Sequence, residues 1–348
     1  MKILMIGGTG FFGRLLATKL LKAGHQLTLL TRGNEKPSAV WAKTAHIVCD
    51  RTEHTKFKQK LANQSFDVVI DNVVNDQQDI ESIITVFASR PKPPQYIFCS
   101  SVAVYPDWMH AKSELVEKDA TLELQHGDDW KITYANGKRA AERYLLAHHG
   151  AMPYTIMRPT VIEGPGDPHK RTLFWIQRIQ AGNPILVSAK NTNVLYRHVS
   201  STDVAQAFFL AVGNKQAYNQ IYNVAGKEKL TIGEYVKYIA AALEKPKVRL
   251  CWVSEKKLKA KLPDYELPAF FEQTRLISSI KKIENDLGYV PRETSDWIEE
   301  TVNVFVQKQK LMSRTKEIEN ERRVSALFKK NHEILDVVKD DAYVFQAM

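Results

Sequence analysis

Ile3-Leu4-Met5-Ile6-Gly7-Gly8-Thr9-Gly10-Phe11-Phe12-Gly13, followed by Arg14-Leu15-Leu16-Ala17, decides the fold. Four uninterrupted apolar residues read as a buried strand. The glycines then have the spacing G-x-x-G-x-x-G, and Leu15, Leu16, Ala17, Leu20 and Leu21 recur at helical spacing until Ala23-Gly24 closes the helix. A glycine-rich turn between a strand and a helix holds a pyrophosphate: one glycine supplies positive φ, one allows close backbone approach, and one permits tight helix–strand packing. The helix start adds N–H groups and partial positive charge. Nucleotide binding is therefore expected at Gly7, Thr9, Gly10, Phe11, Phe12 and Gly13.

Downstream, short apolar runs alternate with helical patterns, with strands expected at 2–6, 26–31, 46–49, 66–71, 95–100 and 153–158. Each connection is long enough for a crossover helix, so the pattern predicts α/β: a Rossmann-type, doubly wound parallel sheet with a smaller C-terminal α/β substrate lobe. The expected division is 1–160 for the nucleotide-binding domain, with later segments returning to it, 161–305 mainly for the substrate lobe, and 306–348 for a helical extension. At 348 residues, 44% apolar and 25% charged, the chain can bury a full core. No run is long and apolar enough for a membrane helix, and no signal peptide is evident. The widely spaced Cys49, Cys99 and Cys251 read as buried thiols of a cytoplasmic protein.

The residue ending the second strand discriminates between dinucleotides. An acidic side chain there suits the ribose hydroxyls of NAD, whereas Thr31 is followed by Arg32, which suits a 2′-phosphate. NADP(H) is thus favoured over NAD(H). Asp50-Arg51, after the third strand, has the position of an adenine contact.

The second informative stretch is Tyr134-Ala135-Asn136-Gly137-Lys138. Tyrosine and lysine four residues apart share a helix face, and an ammonium there stabilises a tyrosinate. Such a phenol can exchange a proton with a substrate oxygen while a nicotinamide exchanges hydride. Ser100-Ser101 ends the buried run Ile97-Phe98-Cys99 at a strand C-terminus, where parallel sheets place ligands, and Ser101 is the candidate to hold the same oxygen.

Together these motifs resemble the extended short-chain dehydrogenase/reductases, the NAD(P)-dependent epimerase/dehydratase group, along residues 1–305. The matching series runs from GGTGFFG through Asp50, SSVAVY at 100–105 and YANGK at 134–138. It continues with Arg158 to Asp167, Arg197 to Ala205, and Tyr222-Asn223-Val224. The resemblance implies a catalytic set of Ser101, Tyr134 and Lys138, with Lys138 also on the nicotinamide ribose. It places Pro159, Thr160 and Val161 beside the nicotinamide, and Val73 and Val74 at the pyrophosphate and ribose. His198 and Asp203 fall at a structural motif, and Phe174 to Arg178 with Arg197 would wall the substrate pocket. Homodimerisation through the Tyr134 helix is also implied. Two departures stand out: Asp71-Asn72 in Ile70-Asp71-Asn72-Val73-Val74, and Glu163 before Gly164-Pro165. They resemble a divergent branch that includes chloroplast stem-loop RNA-binding relatives.

The leading expectation is an NAD(P)(H)-dependent oxidoreductase or epimerase/dehydratase acting on a carbonyl or hydroxyl small molecule, with a nucleotide sugar one such substrate. The alternative is an RNA-binding or cofactor-sensing protein on the same fold. The net charge of +10 favours that alternative, since 245–282 hold ten Lys/Arg against four acids, while an intact Ser-Tyr-Lys set argues against it.

Overall fold

The computed structural model describes residues 1–34, 38–106, 108, 111–148, 150–245, 247–261, 263, 275–309 and 344–346. Along the first half come β1 (Lys2–Ile6), α1 (Phe11–Lys22), β2 (Gln26–Thr31), β3 (Ala45–Val48), α2 (His54–Leu61), β4 (Val68–Asp71) and α3 (Gln77–Phe87). Next are β5 (Gln95–Cys99), α4 (Trp130–Ala147) and β6 (Tyr154–Pro159). The second half contains two-residue β7 (Ile162–Glu163), α5 (Arg171–Ala181), β8 (Ile185–Ser188), two-residue β9 (Val199–Ser200), α6 (Ser201–Ala211) and β10 (Gln220–Val224). It ends with α7 (Ile232–Ala242), β11 (Lys247–Val253), α8 (Glu255–Lys261), α9 (Lys281–Leu287), α10 (Thr294–Gln309) and β12 (Val344–Gln346).

The chain divides into two units. The first comprises Met1–Ile162, Val199–Gly226 and Ser278–Pro291. Its seven strands are ordered β10-β6-β5-β4-β1-β2-β3 and all pair in parallel. Ile3 and Met5 pack into one core with Leu16 of α1 and Phe208 of α6, while Leu4 and Ile6 pack into the other with Phe57, Ile83 and Leu145. Both faces are covered, which explains the unbroken apolar runs: a strand buried on two sides has no position to spare for a polar alternation. The order reverses between β1 and β4, so their carboxyl ends open a crevice of the kind that binds ligands in doubly wound sheets.

The second unit comprises Glu163–His198, Lys227–Ile277 and Arg292–Met348. In it β8 and β11 pair in parallel, and α5, α7 and α10 bury Trp175, Tyr235, Trp252 and Trp297 in one core. Most of the expected helical extension at 306–348 lies outside the described residues. Its three described C-terminal residues depart from the helical expectation: Val344-Phe345-Gln346 form a strand antiparallel to the start of β11. That edge offers unpaired backbone groups, and Val and Phe suit a strand. No helix among the described residues is long and apolar enough to cross a membrane.

Candidate active site

The glycine turn leaves β1 at the reversal point. Gly7 has φ +81°, and a Cβ there would stand 2.7 Å from Val73 Cγ1, so the turn and the loop after β4 touch across the crevice. A Cβ on Gly13 would meet the Gly7 carbonyl oxygen at 2.6 Å, which explains why the first turn of α1 closes so tightly on β1. Gly10, the N-cap of α1, is different: among the described residues nothing lies within 4 Å of where its Cβ would be, and no side chain caps the helix. The helix start therefore presents bare backbone and open space. Asn72 Nδ2 donates to the Gly7 carbonyl at 3.4 Å, and its buried Oδ1 has no partner among the described residues. Bare N–H groups and open space fit a dinucleotide pyrophosphate, and the unpaired acceptor suits a ribose hydroxyl.

Among the other residues expected at the cofactor, Phe12 turns its ring into the core, 5.5 Å from Phe208, leaving only its backbone for a ligand. Thr31 is buried and its Oγ1 accepts the Gly33 N–H at 3.2 Å, while Arg32 is exposed. Asp50 Oδ1 accepts the Thr52 N–H and hydroxyl at 2.9 and 2.7 Å. Those bonds, with the nearby Arg32 and Lys56 charges, hold its carboxyl below the usual range. Arg51 departs from expectation. Its guanidinium is buried and committed to Asp71 and Asp79, so its side chain is not available to adenine. Val74 likewise points into the core and offers only its carbonyl, whereas Val73 is 40% exposed. At the exit of β6, Pro159 and Thr160 are buried, and Thr160 N–H donates to the Val224 carbonyl at 2.9 Å. Val161 is half-buried.

Helix α4 begins one turn before Tyr134, because Asp129 caps it by accepting the Lys131 N–H at 2.7 Å. Tyr134 is 46% exposed, and the Lys138 ammonium lies 5.7 Å from its ring centroid. Lys138 is buried and held by two carbonyls, Val74 at 2.6 Å and Cys99 at 3.0 Å. Val74 lies in the loop after β4 and Cys99 ends β5, so the ammonium ties α4 to the crevice rim. Ser101 Oγ accepts the Ala103 N–H at 3.1 Å, and its own hydrogen has no acceptor among the described residues. Ser100 is occupied elsewhere: it donates to Glu142 Oε1 at 2.5 Å. Glu142 also takes both Arg158 Nε, at 2.9 Å, and Nη2, at 2.5 Å. Burial pushes the neighbouring Cys99 thiol up to about 11, which removes it as a nucleophile.

Sequence reasoning missed Gly137. An alanine Cβ there would lie 2.1 Å from the Asn75 carbonyl oxygen, so this glycine sets the contact between α4 and the loop after β4. The available signal was a glycine in mid-helix, which is costly unless packing demands it.

In the second unit, Glu163 is fully buried and accepts Thr172 Oγ1 at 2.7 Å, the Tyr235 hydroxyl and His198 Nδ1. Burial alone would raise its pKa, but His198 and the two hydroxyls outweigh it and hold the carboxyl below its usual range. His198 is thus a hydrogen-bonded member of a buried network. Phe174 and Arg178 are also buried, with the guanidinium stacked 3.4 Å from the ring centroid, and Arg197 Nη2 donates to the Lys227 carbonyl at 3.0 Å. At the carboxyl ends of β8 and β11 an open cavity of about 420 Å³ is lined by Ser188, Ser254, Glu255, Lys190, Lys256 and Lys259, among others.

The family model for the NAD dependent epimerase/dehydratase family matches residues 3–225. The chain is 30% identical over 309 residues to the chloroplast stem-loop binding protein of 41 kDa b of Arabidopsis thaliana, covering 83% of this chain and 75% of that one. It is 25% identical over 267 residues to 2-alkyl-3-oxoalkanoate reductase of Stenotrophomonas maltophilia (strain K279a), covering 71% and 77%. UDP-glucose 4-epimerase of Thermotoga maritima, solved with UDP-glucose, superposes with a TM-score of 0.67 at 17% identity, covering 89% of this chain and 100% of that one, a likeness of fold. The chain belongs to the NAD dependent epimerase/dehydratase family, within the short-chain dehydrogenase/reductase superfamily of enzymes.

Proposed function

We propose that the protein is an NADP(H)-dependent oxidoreductase that interconverts a carbonyl and a hydroxyl on a small molecule. The observation that carries the reading is the Lys138 ammonium, buried at the crevice rim between two carbonyls and one helical turn from the ring of an exposed Tyr134. A bound nicotinamide supplies or accepts the hydride. Tyr134 Oη holds or releases the proton at the substrate oxygen, Ser101 Oγ donates a hydrogen bond to that oxygen, and Lys138 stabilises the tyrosinate. Gly7, Thr9, Gly10 and the backbone of Phe11, Phe12 and Gly13 receive the pyrophosphate, with Val73 beside it. Asp50 takes the adenine, and Pro159, Thr160 and Val161 border the nicotinamide. Arg32, exposed directly after Thr31, which stands where NAD enzymes place an acid, takes the 2′-phosphate. The second unit is assigned to substrate binding.

Wild type and Tyr134→Phe would be compared with NADPH against a panel of aldehydes, ketones and nucleotide sugars. The reading requires wild-type turnover that falls by about 10² or more in the variant, the contribution of a positioned proton donor, while NADPH still binds. Turnover that survives the substitution overturns it.

A second reading, RNA binding, is favoured by the lysine-lined cavity of the second unit, where three lysines face one glutamate. The Arabidopsis relative is named a stem-loop binding protein. If RNA phosphates bind there, Lys256→Gln/Lys259→Gln lowers affinity for a stem-loop RNA and flattens its salt dependence by roughly one unit of slope for each phosphate no longer neutralised. Unchanged affinity and slope remove that reading.

A further inference from the structure

Asp71 ends β4 with no exposure, in the interior of the parallel sheet and directly before the loop that borders the crevice. A carboxylate so placed persists only when paired and hydrogen-bonded. Arg51 supplies the pairing charge at Oδ2, the Tyr96 hydroxyl donates to the same oxygen at 3.1 Å, and the Val73 N–H donates to Oδ1 at 3.2 Å. Arg51 then reaches α3, where its Nε stands 2.9 Å from Asp79 Oδ1 and its Nη2 donates to the Asp79 carbonyl at 2.9 Å. Asp79 Oδ2 accepts the Asn75 N–H at 2.6 Å.

Two loop N–H groups, on Val73 and Asn75, therefore end on the two carboxylates that Arg51 bridges. Between them is Val74, whose carbonyl receives Lys138 Nζ, and the Asn75 carbonyl is the surface against which Gly137 closes. Apolar side chains of similar volume could fill the same space. They could not accept the two N–H groups that aim the Val74 carbonyl.

We propose that Asp71, Arg51 and Asp79 form a buried bridge that positions the Asn72–Asp76 loop, and through the Val74 carbonyl fixes where the Lys138 ammonium stands at the nicotinamide end of the site. They are positioning residues and touch neither substrate nor cofactor. The inference rests on the dinucleotide reading above. It also accounts for the two charged residues at the exits of β3 and β4: each is the condition for burying the other.

The protein would be tested as wild type, Asp71→Asn, Asp79→Asn, Lys138→Met and Asp71→Asn/Lys138→Met. Ile283→Ala, a core truncation in α9, serves as the stability control. Three readouts are NADPH affinity by fluorescence titration, affinity for adenosine 2′,5′-bisphosphate, and hydrogen exchange of the peptide covering 72–76. Asp71→Asn and Asp79→Asn should weaken NADPH by about tenfold, the scale of one charge-assisted hydrogen bond, and leave the adenosine half within about twofold. Asp71→Asn should add little in the Lys138→Met background, because the loss passes through that lysine. Both aspartate variants should speed exchange at 72–76, whereas Ile283→Ala should not. Losses that add in the double variant, or exchange at 72–76 that matches wild type, overturn the proposal. Wild type that binds no dinucleotide would sink the functional reading instead, and the exchange experiment would still decide whether the bridge holds the loop.

Discussion

Replacing Gly137 by alanine sets two effects against each other. In a helix interior the change favours folding by up to about 1 kcal/mol, because glycine loses more backbone entropy. Here the new Cβ would lie 2.1 Å from the Asn75 carbonyl oxygen. Ordinary contact requires a retreat of at least about 1.3 Å, and both partners are backbone, one in a helix and one in a loop tied down by Asp79. Overpacking costs about 1–3 kcal/mol, and a clash between two backbones belongs at the upper end, about 2–3, so the clash wins with a net loss of about 1–2 kcal/mol. The site suffers more than the fold, since the retreat separates α4 from the loop whose Val74 carbonyl holds Lys138. A misplacement of about 1 Å at reacting groups can cost about 10²-fold in rate. Differential scanning fluorimetry should show melting lower by several degrees. NADPH titration and turnover report the site. Gly150→Ala, with nothing within 4 Å of its Cβ, should melt near wild type. A Gly137→Ala protein that melts higher than wild type with its turnover intact would refute the steric argument.

Arg32→Ala should weaken NADPH by about tenfold while leaving NADH nearly unchanged, as one charge-assisted contact to a 2′-phosphate would require; equal losses for both would count against the NADP(H) assignment. Ser100→Ala should lower stability by about 2 kcal/mol, because it unpairs part of the buried Glu142 carboxylate. Ser101→Ala should instead lower turnover with at most about 1 kcal/mol lost; the reverse pattern, read by melting and turnover together, would exchange their roles. Glu163→Gln breaks a buried pair and should cost about 3 kcal/mol near neutral pH. Because the folded carboxyl titrates below its ordinary value of 4.5, the wild-type advantage is full above that pH and shrinks as pH falls through the lower folded value; denaturation at stepped pH checks the sign.

The β1–turn–α1 unit was legible because each local signal agrees with the others: an apolar run, glycines where backbone must bend or touch, and a 3.6-residue period. The parallel sheet followed because strands buried on both faces announce themselves as continuous apolar runs. Tyr134 and Lys138 were legible as a helical pair, and the helix that carries them starts at the Asp129 cap. What stayed hidden depends on partners distant in sequence. Arg51 is 20 residues from Asp71, and only the fold turns it away from adenine and into the sheet. Glu163 is read correctly only beside His198 and Tyr235, 35 and 72 residues on. Gly137 carries its meaning through a carbonyl in another loop. Val344–Gln346 pairs with β11, so the charge-rich composition that read as helix says nothing of the edge it meets.

The most direct test is native mass spectrometry of the folded protein with NADPH and with NADH, repeated on Gly13→Ala, whose Cβ would stand 2.6 Å from the Gly7 carbonyl oxygen. Wild type should hold one NADPH per chain and capture NADH more weakly, and both should be lost in a Gly13→Ala protein that circular dichroism shows to be folded. A wild-type protein that captures neither dinucleotide, or a Gly13→Ala protein that binds as wild type does, would contradict the placement of the cofactor at the β1–β4 crevice.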